Sequence, residues 1–316
     1  MEIKTEANLS HLNEFILLGF SDVPSLQDIL FGVFVVIYLN ILIGNGLIII
    51  ITKSDSALQT PMYFFLGNFA FLEICYTSAI LPRMLSDLWT RNKTISFLAC
   101  AAQHFSFLVL ASGETLLMAV MAYDRYVAIC KPLNYTLIMN HKMCTRLVIA
   151  SCVSGVPVIL GQTIQVFSLS FCDSNVVNHF YCDMPSLMML SCGDTFWNEV
   201  SIYGDAILFG FFPSLLILYS YTRIFISIHK LPTKIGRSKA FSTCSSHLIV
   251  MGLFYGSAVI AYLQPKSSYI SGIEKILSLF YTTLTPLFNP LIYSLRNKDV
   301  IMAIKKLFSK LRIMKE

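Results

Sequence analysis

The sequence predicts an all-α membrane protein: a seven-transmembrane-helix bundle followed by a short amphipathic C-terminal helix. Three observations carry that expectation. The 316 residues are 55% hydrophobic and only 13% charged, with a mean hydropathy of +0.67; soluble domains carry about twice that charged fraction. Seven apolar runs recur along the chain, each long enough to cross a hydrocarbon core of about 30 Å. The positive residues are sorted by loop rather than gathered on one folded face, which sets aside a nucleic-acid reading of the net charge of +5.

Residues 1–25 read as a polar extracellular tail. They carry no positively charged leader with a short apolar core and cleavage site, so the first span is expected to act as an uncleaved signal-anchor. Asn8-Leu9-Ser10 is a glycosylation sequon if the tail is outside. The membrane domain is expected over residues 26–295. Span one runs roughly Ile29–Thr52, without a charge between Asp28 and Lys53. Span two opens at Pro61 and reaches about Leu81, and span three covers about Ile95–Ile129. Span four, about Leu147–Leu169, is uncharged throughout; span five lies near Glu199–Ile228, span six near Lys239–Leu263 and span seven near Ile273–Leu295. Only helices satisfy their own backbone groups in lipid without closing into a barrel, and the runs lack strand-like alternation. In the cytoplasmic segment 296–316, Val300, Ile304, Leu307, Phe308 and Leu311 recur at helical spacing with Lys305, Lys306 and Lys310 between them. That pattern predicts an amphipathic helix on the inner leaflet.

Seven spans put the two ends of the chain on opposite sides. One set of loops holds Lys4, Arg83, Arg91, Lys93, Lys266 and Lys275, which leaves seventeen of the 23 Lys and Arg residues on the other. The positive-inside rule therefore places the N-terminus outside and the tail after span seven in the cytoplasm. Of nine cysteines, several lie inside apolar runs as small hydrophobes, while Cys100, Cys172, Cys182 and Cys192 lie in or beside polar loops that this topology turns to an oxidising lumen.

Two motifs sit where chemistry at the inner face would need them. Span three ends in Met121-Ala122-Tyr123-Asp124-Arg125-Tyr126-Val127-Ala128-Ile129-Cys130, an adjacent acid and base closing a membrane-length helix. An Arg tied to its neighbouring Asp can hold a closed state, and once freed its planar guanidinium can meet a partner's backbone or carboxylates. Span seven closes in Pro286-Leu287-Phe288-Asn289-Pro290-Leu291-Ile292-Tyr293. Pro290 frees a carbonyl and gives a hinge, Asn289 can rebond the polar interior, and Tyr293 can swing toward spans three and five, where Tyr221 lies.

The D-R-Y and N-P-x-x-Y forms resemble the rhodopsin-like G-protein-coupled receptors. Within them the chain resembles the olfactory (odorant) receptors over nearly its whole length. The resemblance is carried by Gly44-Asn45, Pro61-Met62-Tyr63-Phe64-Phe65-Leu66, the Met121–Cys130 phrase, Lys239–His247, and Pro286–Asn297. Span six carries Phe254-Tyr255-Gly256 and no proline, where most other rhodopsin-like receptors look different.

That resemblance implies several site assignments. It pairs Cys100 with Cys182 and Cys172 with Cys192, each bridge holding the long loop as a lid. A metal reading of His179-Phe180-Tyr181-Cys182-Asp183 then loses its thiolate. It brings the mid-membrane carboxylates Glu73 and Glu114 together with Asn45 and Asn289, where related receptors hold a sodium ion. A sodium ion or a shared proton there would favour the resting state; two protonated acids in helix–helix hydrogen bonds are the competing reading. No other cofactor is expected. It places the ligand pocket in the outer half of spans three, five, six and seven. Counting from Arg125, His104, Phe107, Leu108, Ala111 and Ser112 share one face of span three. Asp205, Phe209, Tyr255, Val259, Tyr262, Leu279 and Thr282 are expected opposite. An acid at the depth of Asp205 needs a reason: an oxygenated odorant, an amine, or a neighbour such as His104.

The function implied is an odorant receptor of the plasma membrane, not an enzyme. A small volatile molecule in the pocket favours outward movement of the inner end of span six, exposing Asp124, Arg125, Tyr126 and Lys239 to a heterotrimeric G protein of the stimulatory, cyclic-AMP-raising type. Membrane lipids are the remaining partner. A non-olfactory rhodopsin-like receptor for another small ligand is the competing reading; a transporter would show repeated halves or matching broken helices, and none is visible.

Overall fold

Backbone groups in hydrocarbon must bond within their own segment, and the long apolar runs accordingly fold as helices. A computed structural model describes residues 13–20, 24–172, 174–229, 248–249, 251–257, 273–295 and 298–313. The first crossing is α1 (Gln27–Ser54). The second comprises α2 (Pro61–Ser78) and α3 (Leu81–Thr90), broken at Ala79 and Ile80 because Pro82 has no N–H to continue the ladder. The third is α4 (Phe97–Cys130), whose first turn is capped by Ser96 Oγ accepting from the Ala99 N–H. The fourth comprises α5 (His141–Val153), capped by Asn140, and α6 (Val156–Phe167). The fifth comprises α7 (Phe196–Asp205), a wide-turned segment Ala206–Phe211, and α8 (Phe212–His229).

Five helical stretches among the described residues are long and apolar enough to cross a membrane: Gln27–Ser54, Pro61–Thr90, Phe97–Cys130, His141–Phe167 and Phe196–His229. Residues 251–257 are helical. The last run holds α9 (Ile273–Leu279), a second wide-turned segment Phe280–Leu284, and α10 (Thr285–Leu295) with Pro290 inside it. After it comes α11 (Lys298–Ile313).

Four spans are longer than the sequence suggested, the first running Gln27–Ser54 rather than Ile29–Thr52. The second continues past Leu81 to Thr90 because Arg83 and Asp87, one turn apart, pair at 2.8 Å and keep the outer end helical. The fourth starts at His141 rather than Leu147, and the fifth at Phe196 rather than Glu199. Charged residues near the water boundary do not end a helix whose backbone is already bonded.

The bundle buries Ile41, Phe65, Phe69 and Tyr76 at its centre and turns residues such as Ile43, Leu160 and Leu218 outwards. That exposed apolar surface would be a liability in water and suits lipid. Gly44 lets α1 meet α10 closely: a Cβ there would lie 3.0 Å from the Pro290 Cβ. On the inner side, Lys306 of α11 pairs with Asp55 at 3.2 Å, and Tyr63 donates to Asp299 at 3.4 Å.

A small sheet caps the outer end, which no pattern in the sequence announces. β1 (Glu14–Leu17) lies between β2 (Thr94–Ser96), to which it is antiparallel, and β3 (Val176–Val177), to which it is parallel. Phe15 and Leu17 point from β1 into a separate apolar core with Ile95, Val166, Val177 and Leu187. Gly19 then turns the chain with φ +54°, a left-handed conformation that costs a side-chain-bearing residue.

Phe15 is fully buried and its ring meets those of Phe97, Phe167 and Phe171. Phe15→Ala should destabilise the cap by about 3–4 kcal/mol. A lowered melting temperature of the purified chain checks this; an unchanged one would mean that the cap does not depend on this core.

Candidate functional site

The outer end of α4 organises the site. Cys100 and Cys182 are joined, with Cα atoms 5.6 Å apart, and Cys172 and Cys192 are joined with Cα atoms 5.8 Å apart. Both Cα separations suit a disulfide. The first bridge lays the Cys182 backbone along α4. The Cys182 N–H donates to Gln103 Oε1 at 3.1 Å, and its carbonyl lies 3.2 Å from His104 Nδ1. The residues on either side of Cys182, Tyr181 and Asp183, thereby face inwards as the roof of a cavity.

That cavity has a volume of about 610 Å³, within the usual range for a small-molecule site. Of the residues expected from the sequence, His104, Phe107, Leu108, Ala111, Ser112, Asp205, Phe209 and Tyr255 line it. Leu279 and Thr282 do not line it. Thr282 is buried with its hydroxyl donated to the Ser278 carbonyl at 2.6 Å, and Leu279 packs against the bundle core. The wide turn at Phe280–Leu284 changes the phase of the last run and presents Tyr281 instead. Val259, Tyr262, Lys239 and Asn8 lie outside the described residues, as does the side chain of Tyr293.

Sequence reasoning missed Tyr76, Gln162, Tyr181, Asp183 and Tyr281 among the lining residues. Gln162, one of two amides with Gln165 in the mostly apolar run of span four, was the one available signal. Asp205 has Gln162 as its neighbour rather than His104, whose ring is taken by Cys182. The roof is tied to the last run by a buried chain of hydrogen bonds. His179 Nε2 lies 3.1 Å from Ser278 Oγ, which lies 2.9 Å from the Tyr281 hydroxyl; that hydroxyl lies 3.0 Å from Tyr181, which donates to Asp183 at 3.1 Å.

Deeper in the bundle, Glu73, Glu114, Asn45 and Asn289 are all about 1% exposed. Asn289 Nδ2 donates to Glu73 Oε1, whereas the Asn45 amide donates at 3.2 Å to the Ile41 carbonyl of its own helix. Glu73 Oε2, Glu114 Oε1 and Asn289 Oδ1 have no partner in the protein. Hard oxygen donors of this kind fit a sodium ion, and equally fit protons on the two acids.

At the inner end of α4, Asp124 accepts from the Tyr135 hydroxyl at 3.0 Å. Burial, then the Asp124 charge, push the Tyr135 phenol up, so it stays a donor. The expected tie between Asp124 and Arg125 is not formed: the described residues contain no ion pair between them, and Arg125 Nε has no hydrogen-bond partner. Adjacent residues on a helix point about 100° apart, so Asp124 turns to the inner loop while Arg125 turns elsewhere. Tyr126 and Tyr221 are buried nearby on the inner half, and the Tyr126 ring meets Tyr123 and Tyr219.

The family model described as olfactory receptor matches residues 34–311. The chain belongs to the olfactory receptor family. It is 54% identical to olfactory receptor 10AG1 of Homo sapiens over 94% of this chain and 99% of that one. It is 49% identical to olfactory receptor 10A7 of Homo sapiens over 95% of each. The fold is that of squid rhodopsin, with a TM-score of 0.70 at 20% identity over 89% of this chain and 85% of that one. The olfactory receptor is accordingly a multi-pass membrane protein and a signalling receptor rather than an enzyme.

Its roof carries a titratable group whose environment opposes charge. Burial, then the Lys275 charge, lower His179 from 6.5 to about 3. The folded receptor thus keeps His179 neutral while the unfolded chain takes up a proton below 6.5, so this stability is full above 6.5 and is lost on acidification. Each pH unit below 6.5 should cost up to about 1.4 kcal/mol, and His179→Gln should remove that dependence. Melting temperatures of the two forms against pH check this; curves that fall in parallel would exclude His179 as the source.

Proposed function

We propose that this receptor binds a small volatile odorant in the cavity beneath the Cys182 roof and passes the event to a stimulatory heterotrimeric G protein, raising cyclic AMP. The single observation that carries the reading is the roofed, mostly apolar cavity of about 610 Å³ on the outer half of α4. A cavity of that size and character suits a small molecule with one or two polar points and cannot solvate a large charged one. Its lining is mostly apolar, so affinity comes chiefly from apolar burial.

The receptor is read as a seven-crossing chain of the plasma membrane, with the glycosylation sequon at Asn8 outside and α11 lying on the inner leaflet. In that frame α11 presents Lys305 to lipid headgroups while Lys306 is held by Asp55. The resting state keeps Asp124 on Tyr135 and Arg125 half-buried at the inner end of α4. Outward movement of span six opens the space in which Arg125, Tyr126 and Lys239 meet the G protein. Asn289 with Pro290 supplies the hinge, and a sodium ion or shared proton between Glu73 and Glu114 favours the closed form.

Full-length receptor co-expressed with a stimulatory G protein should raise cyclic AMP in response to members of a broad odorant panel. Arg125→Ala, present at the cell surface at the same level, should lose at least about 90% of that response, because a planar guanidinium donor has no substitute in alanine. Silence of the wild-type receptor to the whole panel, with surface staining confirmed, would defeat the proposal, and an undiminished Arg125→Ala would remove Arg125 from coupling.

A further inference from the structure

The end of the bundle that carries Asp124 and α11 has a second hollow, on its lipid-facing side. A groove of about 710 Å³ runs down the seam of α1 and α2 and is walled on its far side by the start of the fourth crossing. The rings of Phe64 in α2 and His141 in α5 stand 5.7 Å apart and close that wall.

The lining is sorted by depth. Lys53, Thr60 and His141 are exposed at the rim, where α1 ends and α2 and α5 begin. Below them come Ile49, one turn back along α1, and then Phe64 and Phe71 of α2. Phe71 is 58% exposed, an apolar ring turned to hydrocarbon. It follows Pro61 by ten positions, which is about 15 Å of helical rise. That is half of a core of about 30 Å, the depth of a single leaflet.

The rim is cationic and uncommitted. Lys53 forms no ion pair among the described residues, and Asp55, the nearest acid in sequence, is taken by Lys306 at 3.2 Å. Thr60 makes no capping bond with its hydroxyl. The amide beside them is occupied, since Gln59 donates to the Thr52 and Lys53 carbonyls at 3.2 and 3.3 Å. No Asp or Glu lines the groove among the described residues. A positive charge above an apolar trough one leaflet deep matches a molecule with an anionic head and a hydrocarbon chain. A soluble anion would bury none of the trough, and the hydroxyl of a sterol would not answer the Lys53 charge.

We infer that this groove is a binding site for an anionic glycerophospholipid, with its phosphate and head group on Lys53 and the Thr60 hydroxyl and one acyl chain along Ile49, Phe64 and Phe71. The cytoplasmic leaflet is the one rich in such lipids, and placing this end of the bundle there belongs to the proposed seven-crossing topology. Odorant binding plays no part in it.

The test uses the full-length receptor in nanodiscs, whose two leaflets share one composition, so that orientation does not enter. The discs contain phosphatidylserine and phosphatidylcholine in equal amounts with matched chains, and one of the two at a time carries a photoactivatable diazirine in its chain. Adducts are mapped along the sequence. Labelling of Ile49, Phe64 and Phe71 should be at least about fivefold heavier from phosphatidylserine, the factor that one lysine near the surface contributes. Lys53→Gln, a change at an exposed position, should bring that ratio toward one and leave adducts elsewhere on the bundle unchanged. Asn68→Trp, which fills the groove at mid-depth, should lower the groove adducts of both lipids. Equal labelling by the two lipids in the wild-type receptor overturns the inference, as does a ratio that survives Lys53→Gln. Loss of the phosphatidylserine adducts when cholesterol is added to the discs would assign the groove to a sterol and overturns it as well. None of these outcomes bears on the odorant reading, which the cyclic-AMP assay decides separately.

Discussion

At the outer end of α4, the Cys100–Cys182 disulfide holds the long loop against the helix with 82 residues of sequence between its ends. In the chain-entropy account, closing a loop of that length is worth on the order of 4 kcal/mol. The larger consequence is positional. Once Cys182 lies on α4, its N–H finds Gln103 and its carbonyl finds His104, so both polar groups of a fully buried residue are satisfied. Tyr181 and Asp183 must then point into the bundle. Val177, five residues earlier, is brought to β1, and the N-terminal segment is drawn across the mouth. Roof, sheet and pocket wall all follow from one covalent tether.

How much of this the sequence discloses depends on whether the cause is local. The crossings are legible because lipid imposes one rule on every residue of a run, and composition reports it. Their ends are less so: Arg83 and Asp87 look like loop residues one at a time, and only their spacing of one turn keeps α3 helical. The outer sheet was illegible. β1 has four residues, and its partners come from segments some eighty and one hundred and sixty positions away, so no periodicity within the tail could announce it. The wide turns at Ala206–Phe211 and Phe280–Leu284 were equally hidden. They shift phase without changing length, which is why Tyr281 faces the cavity in place of Leu279 and Thr282.

The inner half makes the same distinction. Asn289 and Glu73 were placed together by resemblance, and they do share a hydrogen bond. Asn45 instead bonds its own helix, because an Asn within a helix has the carbonyl four residues back always in reach. The acid and base at Asp124 and Arg125 looked like a pair because they are adjacent. Helical geometry separates neighbours in sequence and unites residues three or four apart, so the nearer competitor for Asp124 was the Tyr135 hydroxyl of the following loop.

That back-bonding habit also explains the character of the pocket. Within a helix, a Ser or Thr hydroxyl can satisfy itself on the carbonyl of the preceding turn, as Ser112, Thr115 and Ser214 all do. Tyrosine hydroxyls reach across to carbonyls that a neighbouring helix has left available. Each such bond commits the hydroxyl proton. Side chains too long or too rigid to bond their own helix, His104 and Gln162, find one partner each and keep one accepting atom over.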